Sequence, residues 1–195
     1  MKKMFLNLFI LLVVFYIVVC GLLYFFQEKL IFFPEKLDKN FQFKFYQDFD
    51  EINIKTHDNI ILNNILFKAD NSKGVIFYLH GNAGSINSWG EVAGIYTDLH
   101  YDVFMPDYRG YGKSEGKINS EKQLFQDIQT AYDSLKTKYD ESQIIILGYS
   151  IGTGLATKIA STNHPKLLIL QAPFYSMTDL SETYLPRYTN FYFKV

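Results

Sequence analysis

The sequence predicts an α/β protein, a mostly parallel sheet with helices on both faces, behind a single membrane-spanning helix. Three observations carry that prediction. Short apolar runs recur at 75–79, 102–106, 144–147 and 167–170, and they do not alternate with polar residues. Strands buried on both faces read that way. Stretches of helical length and spacing separate the runs. An uncharged stretch, 4–26, precedes them all.

That first stretch is 23 residues of mainly Phe, Leu, Ile and Val. A hydrocarbon core of about 30 Å needs about 20 apolar residues in a helix, so it is long enough to span. Lys2 and Lys3 precede it, and Tyr24, Phe25 and Phe26 close it, where interfacial aromatics are favoured. A cleaved signal peptide is the rival reading. It needs a shorter apolar core and small residues at the cleavage site, and Val18-Val19-Cys20-Gly21 fits poorly. The two leading lysines favour a cytoplasmic N-terminus for this single-pass anchor; Lys29, Lys36 and Lys39 weaken the asymmetry. The domain organisation expected is an anchor at 1–26, a connector at 27–48 and a folded domain at 49–195.

In the connector, Pro34 stops any continued helix. Strands are expected at 51–56 and 60–67, with His57-Asp58-Asn59 making the reversal between them. A buried strand follows at 75–79, a helix at 86–99 and a strand at 102–106 ending on Asp107. The helix at 120–139 is well signalled. Ser120 and Gln123 have capping-box spacing, and Leu124, Ile128, Ala131 and Leu135 recur at helical intervals. A strand at 144–147, a helix at 151–161 and a strand at 167–170 complete the alternation.

Composition excludes some functions. With 19 basic and 20 acidic residues the chain carries no electrostatic footprint for nucleic acid. Cys20 is the only cysteine, so no internal disulfide forms. No metal or other cofactor is called for.

Gly148-Tyr149-Ser150-Ile151-Gly152 stands between a strand and a helix. A serine on that sharp bend is presented above the sheet as a nucleophile, and the flanking glycines remove side chains that would clash there. Ligand sites in such sheets lie at the carboxyl ends of the strands. His80-Gly81-Asn82-Ala83-Gly84 follows the 75–79 strand at that end. Its backbone N–H groups suit a developing oxyanion, with Ile151 N–H as one donor and Asn82 or Ala83 as the second. His80, with Gly81 and Gly84, is read as organising the loop rather than as a catalytic base. The loop 107–114, with Arg109 free to pair with an acid, is read as architectural.

Together the strand-HGNAG loop, the DYRGYGKSEG segment and GYSIGTGLA resemble an α/β-hydrolase. They are most similar to its membrane-tethered branch, catalogued beside serine aminopeptidases and including lipases and depalmitoylases. The resemblance runs from about Phe25 to the end of the chain, and 171–177 resembles the family's segment after the sixth strand. It implies a serine hydrolase acting on esters, thioesters or amides of small-molecule, lipid or acylated substrates. It also implies a triad in the order serine, acid, histidine. Only 45 residues follow Ser150, and of the four histidines only His164 is among them, at the wrong end of its strand. Asp179 is an alternative acid, with no histidine to orient. The expectation is therefore a domain incomplete at its C-terminus and at most trace activity, with the 167–170 strand left as an apolar edge. The alternative is a catalytically dead scaffold on the same fold.

Overall fold

The computed structural model describes residues 2–174. An apolar helix, α1 (Lys2–Ile31), opens the chain. By length and composition its stretch Lys2–Phe26 can cross a membrane. The helix stops three residues short of Pro34.

From Phe33 onward the described residues form a separate unit built on a six-stranded sheet. Its strands are β2 (Phe49–Lys55), β3 (Ile61–Phe67), β4 (Val75–Leu79), β6 (Asp102–Pro106), β7 (Ile144–Tyr149) and β8 (Leu167–Gln171). Two two-residue strands, β1 (Phe33–Pro34) and β5 (Ala83–Gly84), pair in parallel beside it. The spatial order is β2-β3-β6-β4-β7-β8. Only the β2–β3 and β3–β6 pairs are antiparallel; the rest run parallel. The strand boundaries expected from the sequence hold to within two residues. Asn59, at φ 65°, makes the β2–β3 turn, as a short polar residue can.

Non-alternating patterns arise because both faces are covered. All five residues of β4 and of β6 are buried. On one face Ile76, Tyr78, Met105 and Leu147 pack with Ile86 and Ala93 from the helical segment after β5. On the other, Phe77 meets Tyr132 edge-on at 5.5 Å and Phe104 at 5.9 Å. Tyr132 belongs to α4 (Glu121–Lys136), whose buried stripe includes Leu124, Ile128 and Leu135. The last helix is α5 (Gly152–Thr162). Burying each such side chain contributes about 1.5–3 kcal/mol.

Two local readings change. The helix expected over 86–99 is broken into α2 (Ile86–Trp89), a 3-10 turn at Gly90–Val92, and α3 (Ala93–Thr97). Gly90 and Gly94 lie inside it, and each disfavours continuous helix by about 1 kcal/mol. The capping box of α4 closes with a different partner. Ser120 Oγ accepts from Gln123 N–H at 3.2 Å, but the Gln123 side chain takes the Asn119 N–H at 3.1 Å instead of that of Ser120. The connector packs on the core. Phe41, Phe43 and Phe45 follow one another ring to ring at 5.4 and 5.6 Å, and Phe45 reaches Phe67 of β3 at 4.9 Å.

Among the described residues β8 is an edge strand, with Leu167 51% and Leu170 39% exposed. β4 is where the topology reverses: the chain places β6 on one side of it and β7 on the other. A crevice outside the carboxyl ends of the strands at such a switch point is where α/β sheets bind ligands.

Candidate active site

Two loops meet at that crevice. The register pairs Leu79 of β4 with Gly148 of β7, so the residues that follow, 80–84 and 149–151, leave the sheet side by side.

Ser150 takes φ 51°, a left-handed conformation costly for a residue with a Cβ. The surroundings hold it there. Its N–H donates to the Gln171 carbonyl at 2.9 Å. Its own carbonyl accepts from the Thr153 N–H at 2.9 Å and the Thr153 hydroxyl at 2.6 Å. The flanking glycines permit close approach. A Cβ on Gly148 would lie 2.7 Å from both Ala156 Cβ and Thr153 Cα. A Cβ on Gly152 would run into the Leu79 carbonyl oxygen and lie 2.8 Å from that of His80. Ile151 already has helical angles, φ −58° and ψ −30°. Among the described residues its N–H has no hydrogen-bond partner, as expected of a donor at the first turn of a helix.

The 80–84 loop is aimed differently. In a trans peptide the carbonyl of one residue and the N–H of the next point in opposite directions, and no peptide here is cis. The Gly81 carbonyl is held by His80 Nδ1 at 2.8 Å, which turns the Asn82 N–H away from the imidazole. A carbonyl only accepts, so Nδ1 carries the proton in this contact. The Asn82 carbonyl accepts from the Phe33 N–H at 2.9 Å and the Tyr111 hydroxyl at 2.7 Å, which turns the Ala83 N–H the other way. The Ala83 carbonyl accepts from the Trp89 indole at 2.7 Å. Each candidate oxyanion donor is oriented by whatever holds the carbonyl of its own peptide.

His80 is wholly buried, stacked on Tyr108 at 4.1 Å, and its carbonyl takes the Tyr108 hydroxyl at 2.7 Å. Burial lowers its pKa to about 4, against the opposing pull of the Gly81 and Pro106 carbonyls. Asp107 Oδ1 lies 3.6 Å from His80 Nε2 and accepts the Ile86 N–H at 2.8 Å. Burial raises the Asp107 pKa to about 8; the Ile86 hydrogen bond opposes this and the nearby Glu35 adds to it. The loop 107–114 is locked from behind. Arg109 makes a two-pronged contact with Asp127, both bonds 2.7 Å, and a second with Asp58 at 2.7 and 3.0 Å.

None of the histidines reaches Ser150 in this arrangement. His57 lies in the β2–β3 turn, and His100 holds the Asp70 carbonyl at 2.8 Å before β6. His164 donates its backbone N–H to Glu141 at 3.1 Å, before β8 and opposite the crevice. Asp179, the alternative acid, lies outside the described residues. Trp89 and Glu35, which hold or flank the 80–84 loop, carry no motif of their own, and Tyr111, though inside the DYRGYGKSEG segment, was not singled out there. Only the frequency of aromatics hinted at Trp89.

A strained serine between strand and helix, beside a loop of oriented N–H groups at the switch point, defines an α/β-hydrolase. The profile of the hydrolase family described as serine aminopeptidase, S33, matches residues 70–194, and the chain belongs to that family. It is 31% identical over 183 residues to protein bem46 of Schizosaccharomyces pombe, covering 87% of this chain and 61% of that one. It is 35% identical over 115 residues to lysophosphatidylserine lipase ABHD12 of Gallus gallus, covering 55% of this chain and 30% of the lipase. Among solved structures, an α/β-hydrolase from Vibrio vulnificus superposes with a TM-score of 0.61 at 28% identity, over 70% of this chain and 50% of its own. The chain spans about half the length of the relatives it matches.

Proposed function

We propose that the chain carries the nucleophile and oxyanion half of a membrane-anchored serine hydrolase that cleaves ester, thioester or amide bonds through an acyl-enzyme. Ser150 Oγ attacks the acyl carbon. The carbonyl oxygen, now negative, is taken by the Ile151 N–H and by the N–H of Asn82 or Ala83. Removing one such donor costs about 10²–10³ in turnover. The observation that carries the reading is the left-handed Ser150, held in place beside a loop whose N–H groups are fixed by their own carbonyls. The printed lipase name among the relatives and the apolar helix favour a lipid or acylated substrate. That helix acts as a single-pass anchor, with the N-terminus cytoplasmic.

The hydroxyl proton needs a base, and none of the four histidines lies beside Ser150. Absence of a triad member lowers turnover by roughly 10⁴–10⁶, so residues 1–195 by themselves hydrolyse at trace level. That same observation favours a second reading, a non-catalytic scaffold on the hydrolase fold. A fluorophosphonate probe separates the two. An extended chain supplying an acid and a histidine labels at Ser150, and Ser150→Ala abolishes the label. An extended chain that stays unlabelled supports the scaffold.

A further inference from the structure

We propose that β1, which begins one residue after the apolar helix ends, is a working part of the site, with Glu35 as the residue that positions the oxyanion loop. What the loop is for rests on the hydrolase reading; how it is held does not. Glu35 touches both loops behind the crevice. Its N–H donates to the Gly84 carbonyl at 2.9 Å, and its own carbonyl accepts from the Gly112 N–H at 2.8 Å. Its carboxylate accepts from the Ser85 hydroxyl at 2.5 Å. Its neighbours repeat the pattern, Phe33 toward Asn82 and Leu37 toward Gly112.

The carboxylate matters because of what Ser85 does next. Ser85 Oγ accepts the Asn87 N–H at 3.2 Å while donating to Glu35. One hydroxyl is thereby fixed in both roles, closing the oxyanion loop at the start of α2. Asp107 holds the adjacent Ile86 N–H. Together Glu35 and Asp107 pin the downstream end of the loop, and β1 with Tyr111 pins the peptide that aims the Ala83 N–H. Only Phe32 separates the end of α1 from the strand that does this. The segment 33–37, which follows that helix in the chain, is thus part of the frame of the site.

Amide hydrogen exchange on the full 195-residue chain in detergent tests this, with emission from Trp89, the sole tryptophan, as a second readout of the loop. Glu35→Ala should speed exchange over residues 82–88 about tenfold, the loss expected for a hydrogen bond to a charged acceptor, and shift Trp89 emission to the red. Exchange in β4 and β7 should not change. Glu35→Gln, whose amide oxygen still accepts from Ser85, should restore protection to within about twofold, since the hydrogen bond survives the loss of charge. Ser85→Ala should speed the same exchange at least as much, since it also removes the acceptor of the Asn87 N–H, and adding Glu35→Ala to it should change nothing further. Unchanged loop exchange in Glu35→Ala overturns the proposal. So does uniform acceleration across the sheet, or a Gln variant as fast as the Ala one. None of these readouts involves chemistry at Ser150, so their failure leaves the hydrolase reading to its own probe.

Discussion

The Ser150 turn and the 80–84 loop stand side by side at one crevice, but they are held by different means. The turn is fixed chiefly by backbone. Two glycines let α5 approach β7 and β4, and hydrogen bonds from Thr153 and to the Gln171 carbonyl keep a left-handed serine in place. The loop is fixed by contacts from distant segments: Phe33 of β1 and Glu35 just after it, and Tyr111 from the loop after β6, alongside the local His80 and Trp89. A nucleophile can be specified within five residues. The loop beside it needs several segments of the chain to agree.

That difference can be broken from either side. The largest effect should come from Gly152→Ala, which pushes a methyl group into the Leu79 carbonyl and should cost about 3 kcal/mol of stability. Denaturant midpoints measure it; a loss under about 1 kcal/mol would mean the helix shifts freely. Ser150→Gly should move stability the other way, by about 1 kcal/mol, because glycine takes φ 51° without the Cβ penalty. The same denaturation series reports that gain, and a loss would mean the serine is not strained.

On the loop side, Tyr111→Phe removes one hydroxyl donated to the Asn82 carbonyl and should cost about 1 kcal/mol. Here the check is locality: hydrogen exchange should quicken around residues 82–84 and stay unchanged in β7.

A pH slope gives a further check. Asp107, raised by burial to about 8, binds a proton more tightly folded than unfolded. Its contribution is full below its unfolded pKa of about 3.9 and declines as pH rises toward 8. His80, lowered to about 4, works in reverse: its contribution is full above about 6.5 and declines as pH falls toward 4. The two oppose each other below about 6.5, so the Asp107 slope stands clear between about 6.5 and 8. Asp107→Asn should flatten the stability curve in that window, read from midpoints at successive pH values.

The same contrast explains what the sequence made legible. Sheet strands fully buried on both faces announce themselves as apolar runs, and β4 and β6 start and stop where those runs do. The GxSxG turn was legible because its requirement is local, a glycine wherever a Cβ would collide. His80 was legible by its place in the HGNAG loop. Glu35 was not, because a glutamate in a charged connector looks solvated until β1 pairs with β5. Nor was the break at Gly90–Val92, where helical periodicity continues through glycines that the fold uses for a turn. Phe41, Phe43 and Phe45 alternate as a strand would, yet they serve as a ring-to-ring cover for the core.

The central claim is that Ser150 and the loop held by β1 form one site. The most direct test is the structure of an extended chain, carrying an acid and a histidine, with a phosphonate bound to Ser150. The account predicts the phosphoryl oxygen within hydrogen-bond reach of the Ile151 N–H and of the Asn82 or Ala83 N–H. A phosphoryl oxygen turned away from the 80–84 loop, or an adduct on any other residue, would contradict it.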